Sequence, residues 1–329
     1  NFPSSNPSRL KNAIIDRKLI YQYEKILSRI STPSEVLSSS FISDLENYLE
    51  SIKNYIDYNK FDFLVVPNDL SFIYRAFITS FREIGKKSAI FLHGLPSYYS
   101  ATNENKTDHL FVWGENIKKH FVQFGHSAER ISVIGHPLYS GKVIKSASAQ
   151  TPRSSLENVL VVTKSMNGSQ FDQEYVVSDR ANLISYILLI KRVLQKIGVK
   201  RARLRAHPSE IPEWYLKFIG NDFFSIDYAD LGESLKASSI VIGAASTLLL
   251  EALVYGVNYV IFEPNVEGKD VIFYNCVPPF DGSVEEFLVA KNVEELEEIL
   301  ISKKVVKSKI ILQYISQEYD TKLLKEILN

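Results

Sequence analysis

The stretch Ser238-Ser239-Ile240-Val241-Ile242-Gly243-Ala244-Ala245-Ser246-Thr247-Leu248-Leu249-Leu250-Glu251-Ala252-Leu253 decides the fold. Its apolar, β-branched run reads as a buried strand, the small residues after Gly243 as a tight turn, and Ser246-Thr247 as the opening of a helix. An apolar strand that passes directly into a helix is the unit of a parallel sheet covered on both faces. The amides at such a helix start, the helix dipole and two hydroxyls form an anion site suited to a phosphate. Glu251 then lies within reach of a ribose hydroxyl beside that phosphate. Ser and Thr are also ordinary helix caps, so the segment taken alone is equally consistent with plain capping.

The same grammar extends in both directions. Before this stretch, strands are expected at Asn158 to Thr163, Arg201 to Arg205 and Phe223 to Ile226, with a long helix over Ala181 to Ile197. After it come a strand at Tyr259 to Phe262 and helices over Val293 to Ser302 and Ser308 to Leu328. A first series precedes them: strands Phe63 to Val66, Ser88 to Leu92, His109 to Trp113 and Ile131 to Ile134, with helices over Ile73 to Ile84 and Glu115 to Phe124. The segment from Ser8 to Lys60 reads as a helical scaffold interrupted at Thr32-Pro33-Ser34. Between the two series, residues 142–155 are polar and rich in small side chains, which predicts an interdomain linker.

The expected fold class is therefore α/β, two Rossmann-like doubly wound parallel-sheet domains facing a cleft. Residues 1–145 form the acceptor-side domain and residues 146–329 the nucleotide-sugar-binding domain, whose last helix is expected to pack back on the first. Its 329 residues agree with this, since roughly 150 residues per domain gives two. Ligands of such sheets bind at the carboxyl ends of the strands.

Composition narrows the function. Lys+Arg and Asp+Glu are both 38, so no general basic field exists to gather nucleic acid. The single cysteine, Cys276, forms no internal disulfide or thiolate metal site, which fits the cytoplasm. The longest apolar stretch, Ile240 to Phe262, carries Glu251, which at a bilayer centre costs about 2.5–3.5 kcal/mol, so it reads as buried core. No Gly-Lys-Ser/Thr phosphate loop and no Gly-x-Gly-x-x-Gly follows a strand, which removes support for NTP hydrolysis and dinucleotide redox chemistry. His-Glu-x-x-His and Asp-x-Asp are absent too, and no metal is expected.

Strand ends supply the candidate site residues. His207 precedes Pro208, which stops its strand and sets the imidazole at the rim, where it can donate to a phosphate oxygen. His136-Pro137, just before the linker, reads as shaping the domain junction. Lys164 opens Lys-Ser-Met-Asn-Gly-Ser, where its cation and the Gly168 turn can meet a diphosphate or a sugar carboxylate. Glu263 and Asn265 are placed to read a base edge. In the first half, Asp69 follows Leu64-Val65-Val66-Pro67-Asn68 and is the candidate general base or carboxylate nucleophile, with helix capping as the alternative. His93 is placed to orient acceptor or donor beside Gly94, where backbone approaches closely. Asp108, Glu104 and Glu115 are weaker candidates, and Tyr98-Tyr99 suit stacking on sugar rings.

Arg205-Ala206-His207-Pro208 at one strand end, followed about forty residues later by Ala245-Ser246-Thr247-Leu248-Leu249-Leu250-Glu251-Ala252 at a helix start, resembles the carboxy-terminal domain of GT-B glycosyltransferases. The combination is most similar to bacterial enzymes that use CMP-activated sialic acid, Kdo or related sugars, including capsule and lipopolysaccharide transferases. The resemblance implies that His207 contacts the donor phosphate, that Ser246 and Thr247 bind phosphate, and that Glu251 or Glu263 lies near the ribose or base. It implies metal-independent transfer, with Lys164, Arg205 and His207 meeting the phosphate charge and the CMP-sugar as co-substrate rather than cofactor. The expected partners are a nucleotide-sugar donor and a glycan or lipid-linked glycan acceptor. Arg9, Lys11, Arg17 and Lys18 add an expectation of peripheral contact with the inner face of the cytoplasmic membrane. The acidic pair near a glycine that marks the sialyltransferase base is not evident. Two other readings stay open: a GT-B relative using a UDP-sugar or CDP-polyol, or a sugar-nucleotide epimerase; and a non-catalytic nucleotide-sugar or glycan-binding module.

Overall fold

The structure, a computed structural model, describes residues 17–30, 33–96, 105–164, 180–208, 210–266, 268–272 and 276–328. Three helices come first, α1 (Arg17–Ile30), α2 (Pro33–Val36) and α3 (Ser39–Tyr58). The first sheet and its connections follow: β1 (Phe63–Val66), α4 (Phe72–Glu83), β2 (Lys87–Phe91), β3 (His109–Val112), α5 (Glu115–Gln123) and β4 (Ile131–Val133). Its strands are all parallel, in the order β1-β2-β3-β4.

Helix α6 (Lys142–Ser148) occupies the first half of the predicted linker. The polar, small-residue composition hid it because only Ile144 and Ala147 are buried, too few to show a helical period. The second series is β5 (Val159–Val162), α7 (Arg180–Lys196), β6 (Ala202–Arg205), α8 (Pro212–Ile219), β7 (Phe224–Ile226), α9 (Leu231–Lys236), β8 (Ile240–Gly243), α10 (Leu248–Val254) and β9 (Asn258–Phe262). A short antiparallel pair, β10 (Asn265–Val266) and β11 (Lys269–Asp270), is followed by β12 (Leu288–Ala290), α11 (Val293–Ser302), α12 (Ile311–Tyr314) and α13 (Thr321–Leu328). This sheet runs β12-β9-β8-β5-β6-β7, all parallel.

The central strands β5, β8 and β9 are buried along their whole length, as expected of a parallel sheet between helical layers. Their apolar side chains join those of β2 and β3 in one core, while Leu19, Ile26, Phe41, Tyr48, Ile52 and Ile56 of α1 and α3 form a satellite core against α4. Among the described residues no helix is long and apolar enough to cross a membrane.

The terminal segment predicted as one helix breaks after Tyr314 and returns to the first sheet. Ser316 N–H donates to the Trp113 carbonyl at 2.7 Å, and Asp320 N–H to the Ile134 carbonyl at 2.9 Å. The break frees backbone groups for these bonds, which a continuous helix would have consumed internally. Two glycines admit the returning chain: a Cβ on Gly114 would lie 2.3 Å from the Tyr314 backbone, and one on Gly135 2.2 Å from the Glu318 carbonyl oxygen. Gly135 also has φ +78°, where a side chain is strained. Gly135→Ala is therefore expected to lower unfolding free energy by about 2–5 kcal/mol in urea, the sum of overpacking and left-handed strain. Gly125→Ala, with φ +93° and open space around it, incurs only the conformational part, about 1–2 kcal/mol.

Candidate functional site

Parallel topology sets four loops in a row. In the sheet order β9-β8-β5-β6 the carboxyl ends carry Glu263, the turn Ala244 to Thr247, Thr163-Lys164 and Ala206-His207 side by side. Hydrogen bonds tie the row together. His207 N–H donates to Thr163 Oγ1 at 3.1 Å, and Lys164 Nζ to the Ala245 carbonyl at 2.9 Å. Ala245 N–H donates to Glu263 Oε1, and the Tyr259 hydroxyl to the Ala244 carbonyl at 2.7 Å.

The row carries mixed charge. Burial lowers the Lys164 pKa to about 8, against the opposing pull of Glu263 and then Cys276. Burial also lowers that of His207, which Glu210 partly offsets and Lys164 reinforces, so the imidazole is neutral at pH 7 and presents one N–H and one lone pair.

The first sheet reaches this row through the loop after β2. His93 is exposed, with Nδ1 2.8 Å from the Pro67 carbonyl oxygen. A carbonyl only accepts, so Nδ1 donates in this bond, and in a neutral imidazole Nε2 would be the nitrogen left with a lone pair. Leu95 N–H donates to Thr247 Oγ1 at 2.8 Å, joining this loop to the second sheet. The close approach needs Gly94, because a Cβ there would lie 2.7 Å from the same oxygen. A second tie runs from the Tyr139 hydroxyl to Glu251. Tyr139 stacks on His136 at 4.4 Å between ring centroids, and His136 meets Trp113 edge-on at 4.5 Å. His136-Pro137 thus sits at the junction, whereas the aromatic contacts around it gave no periodic signal in the sequence.

Several expected site residues are elsewhere engaged. Asp69 is fully buried, and its Oδ2 accepts Asn105 N–H at 3.0 Å and Lys106 N–H at 2.8 Å. It holds the loop before β3 and presents no carboxylate to a cleft; nor does it cap α4, whose N-cap is Ser71. Arg205 turns to the β7 side, where Asp227 pairs with it at 3.3 Å and with Arg203 at 2.5 Å, so it offers no cation to a phosphate at the row. Strand alternation places both arginines on one face. Ser246 Oγ accepts Leu248 N–H at 3.3 Å within its own turn, while Thr247 reaches across to Leu95, so the hydroxyl pair does not converge on one point. Glu251 meets Tyr139 instead of standing open for a ribose, and Glu263 is turned inward to Ala245 instead of outward to a base. Asp108 holds Ser88. Tyr98, Tyr99, Glu104, Gly168, Arg9 and Lys11 lie outside the described residues. Among the described residues no group of three His, Cys, Asp or Glu side chains could hold a metal.

No family model and no curated protein matches the chain. Solved structures do. UDP-GlcNAc 2-epimerase from Methanocaldococcus jannaschii, in complex with UDP-GlcNAc and UDP, superposes with TM-score 0.57 at 13% identity over 86% of this chain and 80% of that one. The UDP-GlcNAc 2-epimerase from Neisseria meningitidis, bound to UDP-GlcNAc, gives 0.55 at 12% over 95% and 89%. MurG from Acinetobacter baumannii gives 0.50 at 11% over 88% and 79%. The chain has the GT-B fold. In GT-B terms, the row of strand ends belongs to the second domain and the His93 loop to the first.

Two consequences are measurable. Asp69→Ala removes the acceptor of two part-buried amides and is expected to cost about 1–3 kcal/mol in urea unfolding, a loss of stability that a purely catalytic carboxylate would not show. His136 is held neutral by burial, its pKa lowered to about 4, with Nδ1 accepting Leu138 N–H at 3.1 Å. The unfolded chain, titrating near 6.5, binds the extra proton first, so stability present above pH 6.5 is lost as pH falls toward 4, by about 3 kcal/mol. His136→Asn, which keeps an acceptor for Leu138, is expected to flatten that part of the stability–pH curve.

Proposed function

We propose that this chain is a metal-independent glycosyltransferase that moves an acidic sugar of the Kdo or sialic acid kind from CMP to a bacterial surface-glycan acceptor. The observation that carries the reading is the bond from Leu95 N–H to Thr247 Oγ1, which brings the loop bearing the exposed His93 to the strand-end row holding Lys164 and His207. In this reading the donor phosphate lies at the row. His207 donates one N–H to a phosphate oxygen, and the Lys164 ammonium meets the negative charge. His93 Nε2 takes the proton of the acceptor hydroxyl as its oxygen attacks the anomeric carbon. The bond from that carbon to the phosphate oxygen breaks, and CMP leaves with the bonding pair. His93 takes the part first assigned to Asp69. The CMP donor rests on the Arg205-to-Pro208 and Ala245-to-Ala252 motifs.

A second reading is epimerisation of a UDP-sugar, favoured by the names of the neighbours from M. jannaschii and N. meningitidis. Thermal shift against CMP, UDP and CDP separates the two, because a ligand at 100 times its Kd adds about 2.7 kcal/mol of stability. Stabilisation by CMP, consumption of a CMP-linked acidic sugar only when acceptor is present, and a kcat lower by about 10²–10⁴ in His93→Ala with unchanged circular dichroism are expected. Stabilisation by UDP alone, with interconversion of UDP-GlcNAc, replaces the transferase with the epimerase. Tight donor binding without turnover leaves a binding module.

A further inference from the structure

Ala245 is held at both its amide and its carbonyl by ionisable groups. Its N–H goes to Glu263 Oε1 and its carbonyl to Lys164 Nζ, 2.9 Å away. β8 lies between β9 and β5, so the carboxylate and the ammonium reach the turn from opposite sides. The strand end beneath them has no slack: a Cβ on Gly243 would lie 2.3 Å from both Tyr259 Oη and Val162 Cγ2.

Holding a peptide does not require charge. Elsewhere in this chain neutral side chains do it, as Ser71 and Asn292 do at the starts of α4 and α11. A buried ion is expensive unless compensated, so charged groups on both backbone polar atoms of one residue need a different explanation. Glu263 is only 8% exposed, and its negative charge is the largest force opposing the loss of the Lys164 proton on burial. Cys276 acts in the same sense. On the neighbouring strand, His207 feels the Lys164 charge, and Glu210 feels His207 in turn. Tyr259 and Tyr186, packed beneath, both feel Glu263 and stay protonated. Glu263 is the carboxylate of this group whose hydrogen bond fixes the same residue, Ala245, whose carbonyl Lys164 holds.

We propose that Glu263 is a positioning residue: it keeps the Lys164 ammonium charged and seated at the Ala245 turn, where that ammonium meets the phosphate of a nucleotide, so that nucleotide binding depends on one proton at Lys164. The proposal rests on the nucleotide-sugar reading above and adds the residue that tunes its cation. An arriving phosphate is a second anion beside Lys164. It favours the protonated form, and by linkage the protonated form favours the phosphate.

Isothermal titration with CMP and with UDP between pH 7 and 9 tests this, since a phosphate monoester, with its second pKa near 6, is already dianionic there. For the unaltered protein Kd is expected to be flat below about pH 8 and to rise toward tenfold per pH unit above it. Glu263→Gln keeps an oxygen for Ala245 N–H but removes the charge. The step is then expected to move to lower pH, with weaker binding at pH 8 and unchanged circular dichroism. If Glu263→Gln does not fold, Lys164→Arg carries the test: its guanidinium stays charged, so a flat profile supports the proposal and a persisting step overturns it. Binding with no step, or a step that Glu263→Gln leaves in place, overturns the role of Glu263 while the nucleotide reading stands. Absence of binding to either nucleotide at any pH removes both.

Discussion

The geometry of the second sheet turns on the two peptides flanking Ala245. In a parallel sheet every strand ends at the same edge, so β5, β6, β8 and β9 deliver their following loops to one line. A line of loops has no fixed shape unless something locks it, and here the lock is the Ala244–Ala245 segment. The Tyr259 hydroxyl fixes one carbonyl, Lys164 the next, and Glu263 the intervening amide. With the turn fixed, Thr247 is aimed at Leu95 and the first domain acquires a defined place against the second. Buried polar groups of this kind are costly when half satisfied and confer a single arrangement when fully satisfied.

Beside the shared apolar core, backbone hydrogen bonds join the two halves at two further places. The segment after Tyr314 donates N–H groups to the carbonyls of Trp113 and Ile134, which continue the edges of β3 and β4. In return, Gly141 N–H donates to the Gln317 carbonyl at 2.6 Å. Such contacts demand close approach, which is why Gly114 and Gly135 stand where they do. A relative rotation of the domains would break these bonds together with the Leu95–Thr247 and Tyr139–Glu251 ties, so the interface behaves as a unit.

The sequence is most legible where physical demand is local. The runs at β5, β8 and β9 are apolar because both faces of a central parallel strand are covered, and that requirement writes itself into consecutive residues. β12, three residues at the sheet edge, carries too short a pattern to be seen. α6 is hidden because its two buried residues sit among serines and lysines. The candidate site divides the same way. Lys164 and His207 could be placed because strand ends are legible. Asp69 could not be assigned its role, because the partners that occupy it, Asn105 and Lys106, lie more than thirty residues away in sequence. Arg205 was legible only in part: its position two residues from Arg203 puts both on one face, but the Asp227 that engages both lies after another strand, more than twenty residues away in sequence.

Thr247 and Glu251, the residues whose sequence context suggested ligand contact, are both spent on the first domain in this conformation. This does not set ligand and interface against each other energetically. Exchanging a hydrogen bond to protein for one to ligand is nearly neutral, because neither partner is left unsatisfied; the large penalties, about 1–3 kcal/mol each, arise only when a buried group loses its partner outright. Leu95 N–H and the Tyr139 hydroxyl would need new acceptors if their bonds were given up, and a sugar ring rich in hydroxyls can accept from both while donating to Thr247 and Glu251. A ligand that supplies such groups at the cleft can thus enter by replacing protein contacts one for one, whereas a bare phosphate, an acceptor only, can satisfy the donors but not the Glu251 carboxylate.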